Sequence, residues 1–332
     1  MSALPAPRGR VTDVLFDALR RTPHELTAMP DAVDDEDLQL ALYCCYELHY
    51  RGFDGVDDRW EWEPSLLRWR GALERRFESD LHERVGPPGE PPPPGEVDAR
   101  LRELMQADDA PSVSSFIERE ATVAQVLEFM VHRSAYQLKE ADPHSWALPR
   151  LWGRPKAAMV DVQADEYGNG RPDDIHAELF ARAMDAVGLD STYGAYLDQI
   201  PGVTLATVNL MSMCGLHRRL RGAIVGHLAL FEMTSSVPNR RYAGGLRRLG
   251  YDGDACLFFD VHVVADAVHE SVAAVDLAGG LARQDRRLGA DVLWGARALL
   301  AIDGRWARHM MAAWSSDTSS LRSEEADLLA LR

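Results

Sequence analysis

Apolar side chains recur three and four positions apart over most of this chain, and no segment shows the sustained two-residue alternation of a half-buried strand. Within residues 115–139 the series Phe116, Val123, Val126, Leu127, Met130 and Val131 marks one face of a helix. The same kind of spacing predicts helices over residues 11–21, 36–50 and 64–77. Further along it predicts 173–187, 202–236 (as more than one helix), 240–249, 255–278 and 281–302. Asp173 and Asp174 follow Pro172, a good helix start, because proline fits the first turn and acidic groups face the positive end of the helix dipole.

One interruption stands out. Residues 86–95 hold six prolines and three glycines, and proline lacks the amide donor a helix needs and clashes with the preceding turn. The expected organisation is an N-terminal helical extension over residues 1–85, a Pro-rich linker or loop over 86–96, a main helical domain over 97–314 and a loosely attached polar tail over 315–332. Trp60, Trp62 and Trp69 are expected to glue the extension to another body. There is no internal repeat, and the expected class is an all-α bundle of six or more helices.

Composition narrows the function. Hydrophobic residues make up 46% of the 332 positions, enough for a packed core and too many for a disordered chain. Acidic residues outnumber basic ones by 52 to 36, and a formal charge of −16 repels a polyanion, so nucleic acid is not an expected partner. No run approaches the roughly 20 apolar residues of a membrane span, and residues 1–10 lack the apolar segment of a signal peptide. Cys44, Cys45, Cys214 and Cys256 have no metal-binding spacing and lie in apolar surroundings, which suits packed thiols in a reducing cytoplasm.

Within residues 255–278 three polar groups interrupt a nearly continuous apolar run. His262, Asp266 and His269 fall within about 60° of one another on one helix face at about 100° per residue. Two imidazoles and a carboxylate in so apolar a helix require partners; a divalent metal satisfies all three, and a buried hydrogen-bonded cluster is the alternative. Glu232, between Phe231 and Met233 in another apolar stretch, is costly to bury alone. Glu166 and His176 form a further pair, about 80° apart on an ideal helix, whose convergence depends on a break at Gly168-Asn169-Gly170-Arg171-Pro172. Glu128 and His132 read as a solvated or supporting pair, and His144, His217, His227 and His309 as core or surface histidines. Arg171, Arg240, Arg241 and Arg308 are candidates to meet a substrate carboxylate, with a solvated role equally open.

The ordered set Glu166, His176, Glu232, His262, Asp266 and His269 resembles the ligand set of the haem-oxygenase-like diiron oxidases and oxygenases. The local runs Asp165-Glu166-Tyr167-Gly168-Asn169-Gly170, His176-Ala177-Glu178-Leu179-Phe180 and Phe258-Phe259-Asp260-Val261-His262 carry the likeness, which extends over residues 113–300. The resemblance implies a haem-oxygenase-like helical bundle with an N-terminal helical extension. It also implies a site for two Fe(II) ions, with O2 as co-substrate and Mn as a surrogate. Glu140 matches a further glutamate ligand of the family, on condition that the helix end before Ala141-Asp142-Pro143 turns towards the metals. Imidazole and carboxylate donors without thiolate suit Fe(II) or Mn(II), and their number disfavours zinc.

The spacings are most similar to those of N-oxygenating members. The resemblance therefore implies oxygenation of an amine, amidine or guanidine nitrogen of a small, amino-acid-like metabolite in specialised metabolism. Desaturation or oxidative carbon–carbon cleavage of an amino or fatty acid is the alternative within the family, and a non-catalytic metal-binding bundle is the alternative outside it. A homodimer is the expected assembly, and an external electron donor is left open. Haem itself fits poorly, because these histidines gather with buried carboxylates. No substrate-binding residue is identifiable from the pattern.

Overall fold

The computed structural model describes residues 2–30 and 33–322, with the side chains of residues 266–268 outside the described set. Its first helices are α1 (Arg10–Leu19), α2 (Asp35–Glu47) and α3 (Pro64–Val85). Asp34 caps α2 by accepting from the Asp37 amide, and three acidic residues fill the first turn. Asp37, 1% exposed, accepts from the Val11 and Thr12 amides at 2.8 Å and so ties α1 to α2. Trp60 and Trp69 donate to the carbonyls of Arg21 and Thr27, fastening the loop after α1 inside this region, while Trp62 is exposed. The expected tryptophan glue to another body is therefore not what joins this region to the rest. That job falls to α2, which packs along a later helix.

The proline stretch runs against the protein, its first carbonyls accepting from Trp294 and Arg297. After it come α4 (Val97–Ala107), α5 (Val113–Arg119), α6 (Val123–Gln137) and the single turn α7 (Asp142–Ser145). The one helix expected over 115–139 is split because Thr122 and Gln125 form a reciprocal capping box that starts α6. Next are α8 (Gly153–Glu166), α9 (His176–Ala186) and α10 (Gly202–Leu216), the last lying along α2 with Asn209 donating to the Gln39 carbonyl at 2.8 Å.

The centre is built from α11 (Arg221–Arg248) and α12 (Asp254–Ser271), followed by a π-helical stretch (Val272–Ala278), α13 (Gly279–Gln284) and α14 (Arg286–Ser315). α11 continues through Pro238, where a break between two helices was expected. Proline removes one hydrogen bond at a cost of about 3 kcal/mol, but α11 packs on both α12 and α14, and that burial holds the two halves in line. α11 and α14 cross so closely that a Cβ on Gly226 would strike the Val292 carbonyl, and one on Gly295 the Ala223 carbonyl. Buried apolar residues from α1 to α14 form one continuous core. Among the described residues the only β-pairing is an isolated bridge, Tyr167 with Ile175.

The start of the expected polar tail is docked. Ser320 is 1% exposed and donates through its amide and hydroxyl to Glu128 Oε2, while Leu321 is also buried.

Candidate metal centre

α8 ends on Glu166 and α9 begins on His176. Between them Gly168, Asn169 and Gly170 all take positive φ, and the Tyr167–Ile175 bridge closes the loop on itself. Gly168 has φ +65, and a Cβ there would lie 2.7 Å from Asp174 C and Ile175 N, so only glycine fits. This fold-back brings His176 Nδ1 to 2.9 Å from Glu166 Oε2, the convergence that the sequence could make only conditional on a break.

Glu140 arrives from the turn after α6. Ala141 beside it has φ 76 and ψ −31, a strained backbone for a residue with a Cβ. Its carbonyl is held by Gln163 Nε2 at 2.8 Å from α8. His262 on α12 receives its orientation from Nδ1, which donates to the Phe258 carbonyl at 2.8 Å and leaves Nε2 turned towards Glu140 Oε2 at 3.5 Å. Two turns further on, His269 Nδ1 lies 3.5 Å from Glu232 Oε2 on α11, and Nε2 lies 3.4 Å from Asp165 Oδ2.

Two groups of potential ligand atoms result, each with all its atoms within 4.8 Å of one another: Glu140, Glu166, His176 and His262, then Glu166, Glu232 and His269. Glu166 belongs to both. All six side chains are buried. Asp266, expected with them, has a side chain outside the described residues.

The donor set suits metal. Three carboxylates share an apolar interior, and burial raises the Glu232 carboxyl, with Glu166 adding to the rise and His269 opposing it. For His269 burial lowers the pKa, but Glu232, then Glu166 and Asp165, outweigh it and the net shift is upwards. Glu140 Oε2 and His269 Nδ1 are buried without a well-directed hydrogen bond. Lys139, next to Glu140 in sequence, is committed elsewhere, to Glu47 at 2.7 Å. Divalent cations would neutralise such a cluster and occupy its nitrogen and oxygen donors together.

Glu140 and His262 also line a cavity of about 300 Å³. Its walls carry Phe180, Phe231 and Phe258 as well as Arg133, Asp303 and Trp306. Tyr136, Gln163 and Ser235 stand beside the ligand cluster; Tyr136 and Ser235 had no signal in the sequence beyond lying in expected helices, and Gln163 had none. Arg133 was likewise missed; a lone arginine among Val131, His132, Ser134 and Ala135 was the available clue. Arg171, Arg240, Arg241 and Arg308 do not line this cavity; Arg171 pairs with Asp174 and Arg241 with Glu118.

The remaining histidines serve the scaffold. Glu128 and His132 are buried rather than solvated: Glu128 accepts from Trp314 and Ser320, and His132 contacts Thr204 and Ser320. His144 and His227 touch at 3.1 Å, and burial lowers both pKa values, that of His144 to about 3. His217 pairs with Glu74, and His309 with the Ser320 carbonyl. The four cysteines are buried thiols, as expected. No helix among the described residues is long and apolar enough to cross a membrane.

Residues 127–304 match the family model of the iron-containing redox enzymes, which covers more than half of the sequence. The chain belongs to that family. It is also similar to the nitrosourea synthase of Streptomyces achromogenes subsp. streptozoticus, at 30% identity over 138 residues. That stretch is 41% of this chain and 29% of the relative, so the match spans less than a third of the relative's length.

Proposed function

From membership of the iron-containing redox enzymes, we propose that this chain is a non-haem diiron oxygenase that oxidises a nitrogen of a small amine, amidine or guanidine substrate with O2. The observation that carries this reading is Glu166, shared by two adjacent groups of buried ligands, the first of which opens through Glu140 and His262 on a cavity of about 300 Å³. Glu140, His176 and His262 would hold one Fe(II), Glu232 and His269 the other, and Glu166 would bridge; Asp266 is proposed as a further ligand on the strength of its spacing. The choice of nitrogen as the atom oxidised is supported by the similarity to the nitrosourea synthase.

When bound, the two ferrous ions supply the electrons that reduce O2. The protein's part is positioning and exclusion. His262 is locked by its bond to the Phe258 carbonyl, so Nε2 is available as a donor at the cavity wall. Phe180, Phe231 and Phe258 make that end of the cavity apolar and keep bulk water from the oxidant. Tyr136 is a neutral hydroxyl beside the cluster, because burial first, and then Glu140, Glu166 and Glu232, push its pKa up.

The test is anaerobic Fe(II) loading, exposure to O2 and mass spectrometry of a panel of amines, amidines and guanidines. A substrate-dependent gain of oxygen on nitrogen is expected. Its absence across the panel would overturn N-oxygenation, and loss of CO2 or a small carbonyl fragment would reassign the chemistry to carbon–carbon cleavage.

A further inference from the structure

Among the described ligand residues, Glu140 alone is carried by no helix. Glu166 ends α8, His176 begins α9, Glu232 lies within α11, and His262 and His269 lie within α12. α6 stops at Gln137. Glu140 follows on a turn in which the Lys139 amide donates to the Tyr136 carbonyl and the Asp142 amide to the Lys139 carbonyl. The next residue, Ala141, has φ 76, a conformation that a Cβ disfavours. Glu140 also turns its carboxylate towards Glu166, with ligand atoms of the two within 4.8 Å of each other. Carboxylates so close repel when both are ionised. Strain and charge alike therefore favour an outward swing of Glu140, and the inward position has to be held.

Gln163 holds the turn from within the bundle, donating to the Ala141 carbonyl at 2.8 Å. Two further contacts come from residues that precede the proline stretch. Arg51 donates to the Leu138 carbonyl at 3.0 Å, and Glu47 accepts from Lys139 Nζ at 2.7 Å. Glu47 is itself fixed: the Tyr193 hydroxyl lies 2.8 Å from both of its oxygens, and the Arg51 amide donates to Oε1 at 3.3 Å. The Arg51 guanidinium in turn lies 4.3 Å from the Tyr193 ring centroid. Burying an ion pair is a poor route to stability, since apolar side chains of the same size do as well or better. What such a pair adds is register, because it is satisfied in one geometry whereas apolar contacts tolerate a slide. Lys139 and Glu140 are adjacent, so fixing the ammonium fixes the direction in which the next side chain leaves the backbone.

We infer that Glu47, acting through Lys139, is a positioning residue for the metal centre. The region before the proline stretch keeps Glu140 turned inward and so sets the metal affinity of the group that Glu140 forms with Glu166, His176 and His262. The inference rests on the proposed diiron site for the identity of the metal and for the presence of a second ion.

The test uses the full-length protein under anaerobic conditions, with Fe(II) as the probe. Glu47→Gln keeps the shape of the side chain and removes its charge. In the metal-free protein it should speed amide hydrogen exchange over residues 138–142 at least tenfold, with exchange in α11 and α12 unchanged. In titrations it should weaken one equivalent of Fe(II) at least tenfold and leave the other as in the wild type. Glu140→Ala should weaken that same equivalent, and adding Glu47→Gln to it should cost nothing further, because the pair acts only through Glu140. Arg51→Met, which removes a largely exposed side chain, should shift both measurements in the same direction by a smaller factor, and it stands in if melting curves show that Glu47→Gln does not fold. Equal weakening of both equivalents, additive losses in the double variant or unchanged exchange over 138–142 would each overturn the positioning role. A wild-type protein that takes up a single Fe(II) would remove the diiron reading instead. The same cycle then applies to that one ion: non-additivity with Glu140→Ala supports the positioning role and additivity ends it.

Discussion

Lys139 Nζ donates to Glu47 Oε2 at 2.7 Å, and each side chain is about 1% exposed. The ammonium also lies 4.6 Å and 4.5 Å from the ring centroids of Tyr43 and Tyr50, and the Tyr193 hydroxyl donates to Glu47. Arg51 reaches from the same region to the Leu138 carbonyl at 3.0 Å. The turn that carries Glu140 is therefore gripped by residues that precede the proline stretch and lie outside the family match. Lys139→Met should leave a buried carboxylate without its partner and cost about 3–5 kcal/mol in denaturant unfolding. The double variant with Glu47→Gln should recover part of that loss. A double variant no more stable than Lys139→Met would contradict the coupling.

Glu166 faces both ligand groups, whereas Glu232 and His269 face only one. Glu166→Ala should abolish binding of both irons. His269→Ala should leave one, read by metal analysis after anaerobic titration with Fe(II). Equal stoichiometries for the two variants would remove the shared role of Glu166.

Gly168→Ala combines a positive φ with a Cβ pressed against the backbone of Asp174 and Ile175. The loop must open to admit it, separating Glu166 from His176. Iron affinity is expected to fall at least tenfold while helicity measured by circular dichroism is retained. Unchanged affinity would mean that the fold-back does not set the pair.

Burial lowers the His132 pKa to about 3, against about 6.5 in an unfolded chain. Below pH 6.5 the unfolded state therefore takes up a proton that the folded state refuses. The stability contributed by neutral His132 is complete above 6.5 and is lost as pH falls towards 3. That amounts to about 2 kcal/mol between pH 7 and pH 5. His132→Gln should be less stable at pH 7, because contacts to Thr204 and Ser320 are lost, yet show a shallower fall on acidification. Matched slopes in urea unfolding at the two pH values would refute this assignment.

The comparison of pattern with structure turns on range. Helix starts written in adjacent residues were legible, as at Pro172 with its two aspartates, although the helix proper begins four residues later. The Thr122–Gln125 box was present in the sequence and was overridden by the longer apolar series around it. α8, with its weak apolar spacing, was not predicted, although it carries Glu166. Pro238 misled for the opposite reason, since a local rule predicted a break that packing against α12 and α14 prevents.

What the sequence by itself determined is the helical class and the placing of His262 and His269 on one helix face, because both follow from a period of 3.6 residues within a single segment. It also marked Glu232 and the Glu166–His176 pair as polar groups needing partners, because burying charge is costly whatever the fold. Only the tertiary structure decided that Glu166 is common to both groups, that Glu140 turns inward, and that Arg133 and Asp303 line the same cavity. These relations depend on the register between helices far apart in the chain. That register is set by contacts such as Gly226 on Val292 and Lys139 on Glu47, which no local pattern encodes.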